Sequence, residues 1–331
     1  AARFFHRQLW LPENATVAKY FLNRGLSRKT MNNFGLGYAP DSFSSLLNAM
    51  AEKGYSKEEL LDAGLASRSE RGHVYDRFRH RVMFPIIDVR GQVIAFGGRV
   101  MDDSKPKYLN SPETSIFHKS RNLFALNLAR KTKSDYFILA EGYMDVIALH
   151  QAGFDSAVAS LGTALTDEQV RLISRHTGKI VISYDADGAG QDAAQRAIDL
   201  LKKTDLQVKV LRIPGAKDPD EFIKEKGADA YRKLIERSES DNAYRLESIA
   251  AKYDLDEDEE RVRFLHEAAG TLAKIDNAVE REVYAGRAAK MAKVTVEAME
   301  IEVKRALSVR RKKQKSDEKR ELRAVVSAAQ P

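Results

Sequence analysis

Cysteine is absent from the 331 residues of this chain, which excludes a disulfide framework and a zinc site built on thiolates. Its absence fits the reducing cytosol, so we expect a cytoplasmic protein. Long apolar runs are also missing: none could span a membrane, no signal peptide is visible, and we expect no membrane partner. Because the chain opens with Ala1-Ala2-Arg3 instead of methionine, we expect a fragment or a processed protein.

Charge is distributed unevenly along the chain. The net charge of +7 divides into +10 for residues 1–133, −4 for 134–240, −6 for 241–303 and +7 for 304–331. A basic surface beside an acidic site is what an enzyme acting on a polyanion needs, since the first holds phosphates and the second performs chemistry. Charge alone is also compatible with an ordinary solvated surface, so the choice between this and a polyanion-binding surface depends on the motifs.

Two predicted strands each end on acidic residues. The apolar run 136–140 leads into Glu141-Gly142, with Asp145 one helical turn further on. A second run, 180–184, leads into Asp185-Ala186-Asp187-Gly188-Ala189-Gly190. Because the carboxyl ends of parallel strands line the ligand crevice of an open sheet, we expect these acids to converge.

Converging carboxylates repel one another unless a cation lies between them. With oxygen donors and no thiolate or histidine spacing, the preferred ions are Mg²⁺ or Mn²⁺. Such ions commonly serve phosphoryl transfer. The alternative, that these are polar loop residues without chemistry, is less favoured because the acids recur in order behind two strands.

The pattern E-G-x-x-D followed by D-x-D-G-x-G resembles the Toprim domain, which bacterial primases, topoisomerases of types IA and II and some nucleases share. The resemblance implies that Glu141, Asp185 and Asp187 are catalytic and bind metal, with Asp145 in support. Two further acids lie in the run 217–222, Lys-Asp-Pro-Asp-Glu-Phe, which alone would be an ordinary helix start. The resemblance implies that this run adds the metal ligands Asp218 and Asp220.

Strand and helix patterns alternate over 134–214. Predicted strands cover 136–140, 156–161, 179–185 and 207–213, with helices at 143–152, 166–176 and 189–203, which indicates a parallel sheet. The fold class is therefore α/β, with an α+β N-terminal subdomain, a parallel Toprim sheet and a C-terminal helical subdomain. We predict these divisions: 1–133 (basic, α+β), 134–226 (Toprim), 227–303 (helical) and 304–331 (basic tail or linker).

The basic first third has a strand-like arginine row. Alternation over 75–81 predicts one extended strand with Arg77, Arg79 and Arg81 on a single face, and Arg90-Gly91 predicts a hairpin turn after it. The row is compatible with nucleic-acid binding or with a solvated edge strand guarded by charge.

The loop 105–121 indicates which of the Toprim-containing families this chain resembles. Its run PKYLNSPET followed by FHK is similar to bacterial replicative primases of the DnaG type and is missing from topoisomerases. The resemblance implies a DNA-directed RNA polymerase that makes short RNA primers in DNA replication. It also implies a basic ridge that guides nucleic acid and nucleotides to the acidic site, formed by Arg24, Arg99, Lys107, Tyr108 and Lys119.

The same resemblance implies cofactors and partners. The implied cofactor is Mg²⁺, with Mn²⁺ able to substitute, and the implied ligands are single-stranded DNA template, RNA primer and ribonucleoside triphosphates. A zinc ribbon and a helicase-binding C-terminal domain belong to such primases, and we expect both to lie outside these residues. A single-stranded-DNA-binding protein is a further candidate partner.

Three other functions compete with this interpretation. A topoisomerase would use the same acids but needs a nucleophilic tyrosine in a further domain. A Toprim nuclease would cut DNA with Mg²⁺, and a recombination mediator would bind DNA without needing the acids. The loop 105–121 favours the primase, while the sequence leaves open whether Glu141 binds metal or carries a proton.

Overall fold

The structure, a computed structural model, describes residues 1–185 and 188–328, with the exception of the side chains of residues 189, 239 and 314–328. The chain forms two compact units, Ala1–Ser238 and Glu239–Pro331. The predicted four-part division differs from this one and stays a prediction.

The first half of the first unit is a mixture of short helices and antiparallel strands. The helices are α1 Ala2–Leu9, α2 Ala15–Asn23, α3 Arg28–Asn33, α4 Ser45–Ala51, α5 Lys57–Asp62 and α6 Leu126–Ala129, with short 3-10 turns at Pro12–Asn14 and Lys119–Arg121. The strands are β1 Gly37–Ala39, β2 Ala66–Arg68, β3 Val74–Asp76, β4 Arg81–Ile87, β5 Val93–Val100 and β6 Tyr108–Asn110. An antiparallel sheet has the order β1-β4-β5-β6, and β2 pairs with β3. The predicted turn at Arg90-Gly91 joins β4 to β5, where Gly91 has a φ of 89°.

The second half of the first unit alternates strands with helices. Its elements are β7 Phe137–Ala140, α7 Tyr143–Gln151, β8 Ala157–Ala159, α8 Asp167–Ser174, β9 Lys179–Ser183, α9 Gly188–Leu201, β10 Gln207–Val210, α10 Pro219–Lys226 and α11 Ala228–Glu236. The strands run parallel in the order β10-β9-β7-β8. The predicted parallel sheet is confirmed, and its strands end up to three residues earlier than the apolar runs suggested.

Burial explains why these segments are continuous apolar runs. All four residues of β7 are buried, and so are the last four residues of β9, because a parallel sheet has helices on both faces. α11 also packs in this unit: the ring of Tyr231 is fully buried beside Phe154 and Phe222. The segment 228–236, which we assigned to the helical subdomain, therefore shares the core of the first unit.

The second unit is helical after a short strand. Its elements are β11 Glu239–Ser240, α12 Asp241–Ala250, α13 Asp258–Leu272, α14 Ala278–Met291 and α15 Val296–Ala328. It has its own core, in which Phe264, Leu272 and Met299 are almost completely buried. Over the described residues, no helix combines the length and the apolar content that crossing a membrane requires.

The predicted arginine row is wrong, because a break between β3 and β4 divides the segment. Arg77 donates to the carbonyl of Asn110 at 3.1 Å, and buried Arg81 donates to the carbonyl of Gly98 at 3.3 Å. Arg79 turns back to the last carbonyl of β3. Arg77 and Arg81 therefore hold backbone segments together instead of presenting charge to a ligand.

Candidate active site

Glu141 and Asp185 lie at the same edge of the parallel sheet. β7 and β9 are paired with Ala140 opposite Ser183, so the residues that follow leave the sheet side by side. The Glu141 side chain accepts a hydrogen bond through Oε1 from the backbone N–H of Asp185 at 2.9 Å. The Glu141 carboxylate is thus in direct contact with the backbone of Asp185, the residue with which the sequence predicted it to converge.

Gly190 makes this contact sterically feasible. A Cβ at this position would lie 2.3 Å from the carbonyl oxygen of Asp185 and 2.7 Å from Oε1 of Glu141. Only glycine leaves room for both groups, so the third residue of α9 helps to fix the geometry of the pair.

Asp145 adds a carboxylate one helical turn after Glu141. Its Oδ2 accepts from the N–H of Gly142 at 3.2 Å, which caps the first turn of α7. Burial, followed by repulsion from Asp218, Asp185 and Asp220, raises the pKa of Asp145 to about 8. The acids from three separate segments are therefore close enough to disturb one another.

Asp218 and Asp220 lie at the start of α10. Asp218 caps the helix by accepting from the N–H of Glu221 at 2.8 Å. Asp220 forms an ion pair with Lys224, whose Nζ is 2.6 Å from Oδ2. We refer to Glu141, Asp145, Asp185, Asp218 and Asp220 as the acid cluster.

The donor chemistry of the acid cluster fits a hard divalent cation. All of its donors are carboxylate oxygens, and burial first, then repulsion from Asp218, Asp185 and Asp220, raises the pKa of Asp145. Among the side chains that the structure describes, however, no three acidic or histidine groups are arranged around a common point that could hold an ion. The side chains of Glu141, Asp145 and Asp218 each accept from a backbone N–H, and that of Asp220 pairs with Lys224. Asp187, the remaining predicted ligand, lies outside the described residues.

Three of the five predicted ridge residues form one group around Tyr20. The guanidinium carbon of Arg24 lies 5.2 Å from the centroid of the Tyr20 ring, and that of Arg99 lies 5.5 Å from the same centroid. Arg99 also lies 5.7 Å from the ring centroid of Tyr108. We call these four residues the arginine–tyrosine cluster. Such cation–π contacts hold guanidinium groups without neutralising them.

The arginine–tyrosine cluster borders the acid cluster. Burial raises the pKa of the Tyr108 hydroxyl, Arg99 lowers it, and Asp145 is close enough to raise it further. Positive groups suited to a phosphate backbone therefore lie beside the carboxylates suited to a metal.

Lys107 and Lys119 are not part of this group. The Lys107 side chain is exposed next to Tyr108, and its carbonyl accepts from Val100. For Lys119, the contacts within the described residues are with Glu113 and Gln169, and none of them reaches the arginine–tyrosine cluster.

Gln151 fixes the segment that carries Arg24 to the end of α7. Its Nε2 donates to the carbonyl of Gly25 at 2.7 Å, and its Oε1 accepts from the N–H of Ser27 at 2.7 Å and from Oγ1 of Thr30 at 2.7 Å. α7 begins beside Glu141 and ends at this anchor, so one helix positions groups of both clusters.

Tyr143 and Asn110 join the antiparallel sheet to the parallel sheet. The Tyr143 hydroxyl donates to Oδ1 of Asn110 at 2.7 Å, and Nδ2 of Asn110 donates to the carbonyl of Leu161 at 2.8 Å. The Tyr143 ring lies so close to Gly97 that a Cβ there would be 2.6 Å from it. These contacts set the position of α7 relative to β5 and β6.

A pocket of about 310 Å³ opens on the β8 side of Glu141. Its lining includes Ser160, Thr163, Tyr184 and the exposed Arg196. Hydroxyl groups and a guanidinium beside the acid cluster give this pocket the chemistry for a polar, anionic ligand.

The sequence interpretation did not assign site roles to Tyr20, Asn110, Tyr143 or Lys224. Tyr20 is on α2, four residues before Arg24, which caps the end of that helix; this spacing places both on one face and could have suggested their contact. Asn110 lies in the loop motif that carried the resemblance. Nothing in the sequence predicts that Tyr143 meets Gly97, because that contact depends on the packing of two sheets.

Three family profiles match the chain. A profile described as the N-terminal domain of the DNA primase catalytic core matches residues 4–130, and a Toprim-like profile matches 138–223. A profile described as the DnaB-helicase binding domain of primase matches 243–297. We expected the helicase-binding part beyond these residues, whereas this match lies inside the chain.

Known proteins with these names are similar along most of the chain. A DNA primase of Clostridium acetobutylicum is 48% identical over 285 residues, which cover 86% of this chain and 47% of the relative. A structure described as the DnaG primase catalytic domain bound to ssDNA is 35% identical with a TM-score of 0.74, covering 88% of this chain and 93% of that one. The RNA polymerase domain of Mycobacterium tuberculosis primase DnaG, solved with double-stranded DNA, is 32% identical with a TM-score of 0.79, covering 89% of this chain and 96% of that one.

The chain spans about half the length of the curated relatives it matches, since the aligned shares of the first three are 47%, 50% and 50%. The two structures named above, by contrast, are covered to 93% and 96% of their length. Together with the Toprim-like sheet and its acid cluster, these similarities establish that the chain belongs to the bacterial DnaG-type primase family and corresponds to its catalytic region.

Proposed function

We propose that this chain is the polymerase core of a primase, which makes short RNA primers on single-stranded DNA from ribonucleoside triphosphates. The observation that carries the proposal is the contact between Glu141 and Asp185 at the edge of the sheet, with the arginine–tyrosine cluster beside it. An acidic metal site next to a cationic surface is the arrangement that nucleotidyl transfer requires.

In the proposed reaction, the 3′-hydroxyl of a primer ribose attacks the α-phosphate of an incoming nucleotide and pyrophosphate leaves. Glu141, Asp145, Asp185, Asp187, Asp218 and Asp220 are the proposed ligands of Mg²⁺, for which Mn²⁺ can substitute. A bound ion would neutralise the triphosphate and lower the barrier to displacement. Arg24, Arg99 and Tyr108 would hold the phosphates and bases of the template, with Lys107 and Lys119 contributing further along the strand.

The proposed macromolecular ligands are single-stranded DNA and the RNA primer. A relative solved with ssDNA supports the first of these. We also propose the replicative helicase as a partner of the second unit, because the helicase-binding profile matches residues 243–297. A nuclease or a topoisomerase would not account for the match of residues 4–130 to a primase core.

The test is template-directed primer synthesis by Glu141→Gln and Asp185→Asn, each assayed with Mg²⁺ and with Mn²⁺. Both changes remove charge while keeping size, and the amide oxygen that Glu141→Gln introduces can still accept from the backbone N–H of Asp185. We expect each to lower the rate at least 100-fold, because a metal ligand is lost. Glu168→Gln, a change at an exposed acid on α8, is the matched control and should keep the full rate. Full activity in both site variants would exclude the proposed metal site.

A further inference from the structure

Lys224 lies on α10, one helical turn after Asp220, and its ammonium forms an ion pair with the Asp220 carboxylate. Nζ of Lys224 is 2.6 Å from Oδ2 of Asp220. An Asp–Lys pair at this spacing is common on helix surfaces, where it contributes little to stability.

Two observations distinguish this pair from a surface ion pair. The Asp220 side chain is only 16% exposed, whereas that of Lys224 is 45% exposed. Asp220 is also one of the carboxylates that disturb Asp145, so it belongs to the acid cluster. Lys224 therefore brings a positive charge from the solvent side to a carboxylate that is near enough to Asp145 to repel it.

The stem of Lys224 lies against the turn that carries Arg24. A Cβ at Gly25 would lie 3.2 Å from Cε of Lys224, and Gly25 is held in place by Gln151. The ammonium is thus at the boundary between the acid cluster and the basic surface that begins at Arg24.

We propose that Lys224 is the resident counter-cation of the acid cluster: a divalent ion that binds Asp220 must displace its ammonium, which then binds a phosphate of the incoming nucleotide. The inference rests on the proposed function and deepens it. A lysine suits this role because its flexible stem carries a compact charge with three donors. The displaced ammonium needs to move only from Asp220 toward the turn at Gly25, where Arg24 already supplies positive charge.

The first measurement is the affinity of the 331-residue protein for Mn²⁺ alone, followed by calorimetry or by the Mn²⁺ resonance signal. We expect Lys224→Met to bind Mn²⁺ about tenfold more tightly, because a competing positive charge within a few ångströms is removed. Lys224→Arg keeps the charge and should stay near the wild type. Lys226→Met removes an exposed lysine from the same helix and should also leave the affinity unchanged.

Equal or weaker Mn²⁺ binding by Lys224→Met would overturn the counter-cation role. Failure of the proposed function gives a different result, since the wild type and Asp185→Asn would then bind Mn²⁺ with the same affinity. If only the present inference fails, Asp185→Asn still loses Mn²⁺ affinity while Lys224→Met matches the wild type.

The second measurement is the affinity for ATP at saturating Mn²⁺ without template. Loss of one phosphate contact should weaken ATP binding by Lys224→Met about tenfold, and Lys224→Arg should restore most of it. This decrease, opposite in sign to the gain in Mn²⁺ affinity, is not expected from a lysine that merely stabilises α10. Unchanged ATP affinity in Lys224→Met would overturn the phosphate-binding step.

Discussion

The site has no room for a side chain at Gly190. A methyl group there would meet the carbonyl oxygen of Asp185 at 2.3 Å and Oε1 of Glu141 at 2.7 Å. We expect Gly190→Ala to lower primer synthesis at least 100-fold, since displacement of about 1 Å at a reacting group costs about that much. Overpacking should lower the free energy of unfolding by about 1–3 kcal/mol, measured in urea.

Gly188→Ala provides the comparison, because a Cβ two residues earlier in α9 would meet none of the described atoms within 4 Å. It carries the same loss of glycine flexibility and should leave the unfolding midpoint in urea at or above the wild-type value. Equal loss of stability in both variants would show that α9 rejects any side chain at its start, and that the contact with Glu141 is not the cause.

Tyr20 orders two arginines through its ring, and its hydroxyl contributes nothing to that role. Among the described residues, the buried Oη atom has no hydrogen-bond partner, while the ring centroid lies 5.2 Å from the guanidinium carbon of Arg24 and 5.5 Å from that of Arg99. We expect Tyr20→Leu to weaken single-stranded DNA binding about fivefold, because exposed cation–π contacts contribute about 0.5–1 kcal/mol each. Fluorescence anisotropy of labelled single-stranded DNA at several salt concentrations measures this affinity.

Tyr20→Phe is the matched variant, since it keeps the ring and removes only the unpaired hydroxyl. It should bind DNA like the wild type with the same salt dependence, and its stability should be equal or slightly higher. If Tyr20→Phe is as defective as Tyr20→Leu, the hydroxyl has a role that the ring contacts do not explain.

Among the elements, α7 connects the two clusters, and its last residue is the point to test. Gln151→Met keeps the length of the side chain but removes the three hydrogen bonds to Gly25, Ser27 and Thr30. We expect a loss of about 1–3 kcal/mol in the free energy of unfolding, since three hydrogen bonds are removed and one of them leaves the buried Thr30 hydroxyl without its acceptor.

Gln207→Met is the control for this change, because Gln207 is exposed at the start of β10. Its urea midpoint should not move by more than the error of the measurement. An unchanged midpoint in Gln151→Met would mean that water replaces the amide at this anchor without cost.

Elements whose signal is local were predictable from the sequence. Ser56 and Thr166 form capping boxes with residues 59 and 169, a pattern that can be recognised from the sequence because these hydrogen bonds span only three residues. The strands before Glu141 and Asp185 were predictable because burial on both faces demands uninterrupted apolar residues. The arginine row failed because β3 pairs with β2 and β4 with β1, and alternation does not reveal where a chain changes sheets.

The candidate site was predictable in its acids but not in its supporting contacts. Glu141 and Asp185 follow strands that pair, so position at a sheet edge was enough to bring them together. The grouping of Arg24 with Arg99 around Tyr20, and the approach of Lys224 to Gly25, join segments that are far apart in sequence. Such contacts arise from tertiary packing, which local patterns do not encode.

On the scale of the whole molecule, each compact unit has its own hydrophobic core. In the first unit this core extends from Leu9 to Ile235, and in the second it extends from Leu246 to Val303. We expect a fragment of residues 1–238 to fold by itself and to keep its affinity for Mn²⁺ and for single-stranded DNA. Cooperative urea unfolding and the two binding titrations measure this.

The same fragment should show no stimulation by the helicase, because the helicase-binding profile lies in 243–297. The full 331-residue chain serves as the control in every assay. A fragment that unfolds without cooperativity would show that the first unit needs residues beyond 238 for its stability.

The junction of the antiparallel and parallel sheets limits which segments related proteins can exchange. The ring of Tyr143 packs against Gly97, and the Asn110 side chain bonds across the junction to Tyr143 and to the carbonyl of Leu161, so neither half of the junction is complete alone. A chimaera of two relatives with its crossover between residues 110 and 143 would take Gly97 and Asn110 from one parent and residue 143 from the other. We therefore expect such chimaeras to fold only when the second parent has a tyrosine at position 143.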